Sequence, residues 1–463
     1  MQSQHPLADK FAFASLCFLV VWAPIPLGSN RVWSAELLQL LVAVIAANCC
    51  WLLARKKISP SAALRSSKLT LGLFFCIAVW SSIQLLPLPY HDGWQELSHD
   101  LNSTAYKLQK SILYTLVLFI TLQLVNTRPR LQVFAHVIVI SGVLQAVYAV
   151  ITLLGGPQFD ILTIKGMSSY KGDATGTFIN RNHLAGYLEM TLAVGTGLLI
   201  ASLELGEGGK SWRERIRRLL QAMLGGKARL RLFLVIMVIA LVMTHSRMGN
   251  AAFFASMGIC AVIGLMLFRQ NSRSMVILFS SMIIIDVFIV STWFGLERLV
   301  QRIEGTEIAT EERTDVNATA LPWVQENWLT GSGAGSFSSQ FPAYRTADIS
   351  GFFDFAHNDY LQILGEYGVI GGSFFAAIVL LCLYSAIQAQ RERRNSLQRG
   401  MAFAAMMGIM SLLIHSTVDF NLHIPANAML FTILCSIALI ARHLNTEKSE
   451  SSRRNQKSML NEA

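Results

Sequence analysis

The sequence predicts an all-α polytopic membrane protein, with about twelve transmembrane helices and one large polar loop late in the chain. Two observations carry that prediction. Hydrophobic residues make up 53% of the 463 positions and charged residues only 14%; an ordinary soluble domain is about 25% charged. The apolar runs are also continuous over roughly 17–22 residues, the length a helix needs to cross a bilayer. They do not alternate in the segments of about ten residues that mark a membrane β-barrel. Lipid offers no partner to an open N–H or C=O, so such runs must close their backbone bonds internally, as helices.

In order, the predicted spans are Phe11–Leu27, Trp33–Leu53, Leu69–Leu88, Ser111–Val125, Leu131–Leu154 and His183–Leu203. They continue with Leu232–His245, Ala251–Phe268, Met275–Phe294, Val369–Ile387, Met401–Phe420 and Pro425–Ala441. The first resembles a signal-peptide core, but its flank Ala23-Pro24-Ile25-Pro26 lacks a small-x-small cleavage site, so it is read as a span. Both termini are placed inside: 27 of the 38 Lys and Arg residues then fall in short inner segments such as 54–68, 204–231 and 388–400. The reverse orientation inverts that bias at every short loop. The same bias accounts for the net charge of +10. No basic surface is interleaved with aromatics, so nucleic acid is not an expected partner. Lys210–Arg218 reads first as a topology anchor, an amphipathic helix lying on anionic membrane lipids.

The chain then divides into 1–175 (spans one to five and the first outer loops), 176–294 (spans six to nine) and 295–368 (the large outer loop). The remainder is 369–441 (spans ten to twelve) and 442–463, a polar cytoplasmic tail of disordered composition. All seven cysteines fall inside apolar spans, which argues against a disulfide framework or a cysteine metal site. Within the large loop, Ile308–Trp328 is expected to be a helix broken at Pro322, and Gly331–Ser336 a flexible turn.

Candidate chemistry collects at outer span ends. Arg247, in Thr244-His245-Ser246-Arg247, lies between two apolar spans, where an unpaired charge is costly. Arg313 sits in the loop and Arg181 opens a span in Asn180-Arg181-Asn182-His183. Each alone reads as an anchor or a local salt bridge. Converging on one cavity, the three would suit a diphosphate, because guanidinium forks match phosphate oxygens and stay charged. His357, in Phe355-Ala356-His357-Asn358-Asp359, is the general-base candidate, with Asp354 and Asp359 near enough in sequence to orient its second nitrogen. His415, Asp419, Asn421 and His423 form a second polar group at the end of the eleventh span, and His415 and Asp419 are further supporting candidates. A Walker loop, a GxSxG elbow, an HExxH pair and a carboxylate pair at metal spacing are all missing from the sequence, so a mechanism with no metal and no cofactor is the economical one.

Taken together, these features resemble the O-antigen ligase and polymerase superfamily of bacterial inner-membrane proteins. The resemblance rests on Arg247 after Ser246 at an outer span end, followed by Arg313, Trp323, Gly331-Ser-Gly-Ala-Gly-Ser-Phe and His357-Asn358-Asp359-Tyr360-Leu361. It covers roughly residues 176 to 427; the first five spans match only in topology. The resemblance implies a C-type glycosyltransferase architecture and a metal-independent, inverting transfer on the periplasmic side of the inner membrane. The donor would be a glycan on undecaprenyl diphosphate. The acceptor would be a sugar of lipid A-core in a ligase, another lipid-linked glycan in a polymerase, or a protein hydroxyl in an O-oligosaccharyltransferase. By the same resemblance, His357 would deprotonate the acceptor, and Arg247, Arg313 and, less firmly, Arg181 would bind the diphosphate. A transporter of an anion such as bicarbonate is the reading from a different class. It is disfavoured because no inverted repeat is apparent and the polar chemistry lies at one membrane face, not at the midplane.

Overall fold

The computed structural model describes residues 7–90, 93–160, 172–203, 226–267, 315–346, 349 and 352–444. Its long helices are α1 (Leu7–Trp22), α2 (Val32–Ala54), α3 (Lys68–Gln84), α4 (Leu101–Leu124), α5 (Arg128–Gly155) and α6 (Arg181–Leu203). They are followed by α7 (Gly226–Met243), α8 (Arg247–Leu267), α9 (Asp359–Glu392), α10 (Ser396–His415) and α11 (Pro425–His443). A two-stranded antiparallel hairpin pairs β1 (Pro87–Tyr90) with β2 (Gly93–Glu96) where the sequence reading had a plain loop.

Among the described residues, seven helices are long and apolar enough to cross a membrane: α2, α5, α6, α8, α9, α10 and α11. The chain is therefore an all-α multi-pass membrane protein with one small hairpin, and about twelve spans is met only in part. The expected span Met275–Phe294, the anchor at Lys210–Arg218 and the tail from residue 445 lie outside the described residues. Large apolar side chains such as Leu40, Phe75, Val133 and Leu380 are exposed along the outer helices. On a soluble protein such a belt would be an association surface; against lipid it is the solvated face.

α6 is the axis of the bundle, buried along its whole membrane length. It crosses α10 at two glycines. A Cβ on Gly197 would lie 2.3 Å from the Gly400 carbonyl oxygen, so the backbones are in direct contact. Side-chain contacts sort the helix ends into two groups. At one end Arg130 pairs with Asp9 at 2.6 Å, Ser61 N–H donates to Gln123, and the Gln398 amide donates to the Leu444 carbonyl. The opposite end carries the functional candidates.

The large loop departs from expectation twice. Residues 315–326 form one unbroken helix through Pro322. Proline removes the bond to the carbonyl of Ala318, and both residues are exposed, so that carbonyl is not buried without a partner. The helix buries Val316, Ala320 and Trp323 against Phe337, Phe341 and Ala356, a second small core. The glycine turn is pinned, not flexible. Gly331 to Ala334 are buried; Ser332 N–H donates to the Gly365 carbonyl and Gly333 N–H to the Glu366 carbonyl, while Gln84 brackets the turn from the end of α3. Gly331 has φ +76°, and a Cβ there would lie 2.2 Å from the Glu366 oxygen. Gly331→Ala is therefore expected to destabilise the protein by about 2–3 kcal/mol, combining a left-handed backbone with a clash. Thermal unfolding in detergent, wild type beside variant, measures it.

Candidate active site

Two anchors fix the segment that carries His357. Ala356 belongs to the loop core, and its N–H donates to the Gln362 side chain at 3.1 Å. On the other side Asn358 caps α9, accepting from the N–H groups of Tyr360 and Leu361. Between them His357 is forced to φ +53°, a conformation that costs an L-residue about 1–2 kcal/mol. His245 is held at the same φ of +53°. Leu27, Ser29 and Lys56 share this backbone conformation, so it does not by itself mark the site.

The carboxylate beside His357 is Asp419, 4.0 Å from Nδ1. Asp354 is exposed, and Asp359 turns away to accept from Ser416 Oγ at 2.7 Å and lie 3.4 Å from His423 Nε2. The sequence neighbours named as orienting groups are thus replaced by a residue from the turn after α10. Asp419 is fully buried and is a hub. Asn182 Nδ2 donates to it at 2.5 Å, His183 Nε2 lies at 3.8 Å, and the Phe420 N–H donates at 2.8 Å. His183 and His357 each meet the Phe420 ring edge-on at 4.7 Å.

The first turn of α6 ties this hub to a second cluster. Asn180 caps the helix, accepting from Asn182 N–H at 2.8 Å. Asn182 and His183 then face Asp419, whereas Arg181 reaches the other way to Asp173 at 2.8 Å. Asp173 also meets His245 Nδ1 at 2.7 Å. Arg247 follows two residues later as the exposed first residue of α8. That helix start is pressed against α6: a Cβ on Gly249 would lie 2.6 Å from the Ala185 Cβ. Arg181, Arg247, His357 and Asp419 therefore share one end of the bundle, linked through Asn180–His183. Arg313 lies outside the described residues.

Burial pushes the Asp173 carboxyl up, but the hydrogen bond from His245, the Arg181 charge and the Arg181 hydrogen bond outweigh it and hold the group below its ordinary value. A depressed carboxylate contributes stability above its unfolded pKa of about 3.9, and that contribution is lost as pH falls through the lower folded value. Asp173→Asn is expected to loosen the 172–180 loop at neutral pH and to remove this acid dependence. Hydrogen exchange of the loop amides at pH 7 and at about pH 2, below the depressed folded value, checks both.

His415, the remaining supporting candidate, points elsewhere. It is fully buried, with Nδ1 2.8 Å from Glu189, which also accepts from Ser411 Oγ at 2.6 Å. This pair locks α10 to α6 beneath the site. The sequence reading missed Glu189, although a carboxylate inside an apolar span was a usable signal. It missed Lys107 as well, whose Nζ hydrogen-bonds the Nδ1 of His423. Burial, followed by the Lys107 and Lys110 charges, holds His423 well below the ordinary histidine value, so it is neutral and accepts that bond.

An apolar helical bundle with histidines, carboxylates and arginines gathered at one end defines a multi-pass membrane protein with a polar terminal site. Residues 232–376 match the family model described as O-antigen ligase, which supports the resemblance to that superfamily. The matched stretch contains Arg247, Arg313 and His357; Arg181, His415 and Asp419 lie beyond it. No curated protein matches the chain.

Proposed function

We propose that this protein is a metal-independent inverting glycosyltransferase. In this reading it moves a glycan from undecaprenyl diphosphate to an acceptor hydroxyl at the periplasmic face of a bacterial inner membrane, as an O-antigen ligase joining O-antigen to lipid A-core. The observation that carries this reading is the cluster at one end of the bundle, in which Asp419 lies 4.0 Å from His357 and 3.8 Å from His183 and accepts from Asn182, while Arg181 and His245 meet at Asp173.

With Nδ1 turned to Asp419, the Nε2 of His357 takes the proton of the acceptor hydroxyl. The acceptor oxygen attacks the anomeric carbon as the bond to the diphosphate oxygen breaks. The diphosphate leaves with the electron pair on the opposite face, so the configuration inverts. Arg247, with Arg181 and Arg313, stabilises the charge that grows on the leaving group, a task that fixed cations perform without reorganising. The donor arrives already activated, so no nucleotide is needed outside the membrane. Asp419 and His183 position the base, and the apolar bundle holds the polyprenyl tail.

The test is transfer by the purified protein in proteoliposomes. The donor is a lipid-linked glycan, and three acceptors are offered separately: lipid A-core, a second lipid-linked glycan and a hydroxyl-bearing peptide. Transfer to lipid A-core is expected. Transfer only to one of the other acceptors reassigns the protein to a polymerase or an O-oligosaccharyltransferase. Anion flux without transfer would overturn the reading.

A further inference from the structure

A cavity of about 500 Å3 lies between α3, α4, α9, α10 and α11, within the ~300–1,000 Å3 of small-ligand sites. Its walls are mostly apolar, with Phe74, Phe375 and Phe431 among them, but one end carries Lys107, Lys110, Asp359 and His423. Tyr360, Leu364 and Leu380 along the lining are exposed, so the cavity opens on the flank of the bundle, where lipid lies.

Its polar end has an excess of positive charge. Lys110 is buried, with Nζ 4.6 Å over the Tyr106 ring. Lys107 is held by the neutral His423. Asp359 is the one carboxylate among the described lining residues, and its charge acts on Lys107. It accepts from Ser416 Oγ at 2.7 Å and Leu422 N–H at 3.4 Å, lies 3.4 Å from His423, and is outnumbered by the two lysines. Among the described residues neither lysine has a carboxylate partner in an ion pair. Burial lowers both lysines from the ordinary value, Lys110 to about 7, so an anion that brings its own apolar chain restores their charge and is favoured.

We infer that this cavity binds the chain of a phosphate-headed membrane amphiphile, with the phosphate at Lys107 and Lys110. The head group would then sit beside the segment that carries His357. Phe355 stacks on Phe420 at 4.3 Å and meets the His423 ring at 5.0 Å, so one aromatic ring joins the lysine end to the His357 side. The arginine cluster approaches through α6 and α8 and does not line the cavity. Resting on the glycan-transfer reading, the amphiphile held here is the acceptor, presented apart from the donor diphosphate.

The full-length protein is placed in phosphatidylcholine nanodiscs containing phosphatidic acid with a photoreactive acyl chain. Labelled peptides are then mapped for wild type, Lys110→Gln and Ala376→Trp, the last filling the exposed mouth. Labelling of α4 and α9 in wild type is expected, falling about tenfold in Lys110→Gln and lost in Ala376→Trp. Equal labelling in all three proteins, or equal labelling by the phosphatidylcholine counterpart, would overturn the site. In the transfer assay the same variants are expected to raise the KM for lipid A-core about tenfold and leave the donor KM unchanged. Unaltered acceptor KM with transfer intact would sink the acceptor assignment while glycan transfer stands. If wild type transfers nothing, the functional reading fails and the labelling still decides the cavity.

Discussion

His357→Ala is expected to lower the transfer rate by about 10²–10⁴-fold, the range for losing a positioned general base. The loss should fall on kcat, because the imidazole acts on the acceptor hydroxyl and does not hold the donor. Folding should survive. The left-handed backbone at 357 is set by Ala356 in the loop core and by the Asn358 cap, and neither depends on the imidazole. Asp419→Asn tests the positioning partner. The amide keeps the shape but loses the charge that His357 and His183 share. Its expected signature is a fall in kcat with the donor KM unchanged, whereas a merely structural Asp419 would show lowered thermal stability and normal turnover per folded molecule.

Arg247→Ala carries the second large effect, a loss of about 10²–10³-fold. A cation aimed at the leaving diphosphate works in binding and in the transition state together, so donor KM and kcat should both change. Arg247→Lys is not expected to rescue the activity, because an ammonium lacks the planar fork that engages two phosphate oxygens at once. Arg181→Ala is expected to be milder in chemistry and heavier in structure. Its guanidinium already pairs with Asp173 and so holds the 172–180 loop.

Much of the bundle was legible because span length and hydropathy are local signals. The helix beginning at Arg181 and the polar group at the end of α10 were visible in the same way. What escaped detection depends on distant parts of the chain. Asp354 and Asp359 flank His357 in sequence, yet Asp419, from the turn after α10, stands beside it. The Gly331–Ser336 turn has the composition of a flexible linker, but Gln84 and the backbone of Gly365 and Glu366 consume its polar groups. Pro322 predicts a break because its ring removes one helix bond and crowds the preceding turn; the packing of Val316, Ala320 and Trp323 on the loop core carries the helix through it. Glu189 stands inside an apolar span, and its partner His415 lies across the bundle on α10.

The most direct measurement separates binding of the donor from its use. Binding of undecaprenyl-diphosphate-linked glycan and its transfer to lipid A-core are followed in the same proteoliposomes for wild type, His357→Ala and Arg247→Ala. The prediction is that His357→Ala binds donor as wild type does and transfers almost none, while Arg247→Ala loses donor binding. Transfer by His357→Ala at the wild-type rate, or undiminished donor binding by Arg247→Ala, would contradict a site in which arginine holds the diphosphate and histidine activates the acceptor.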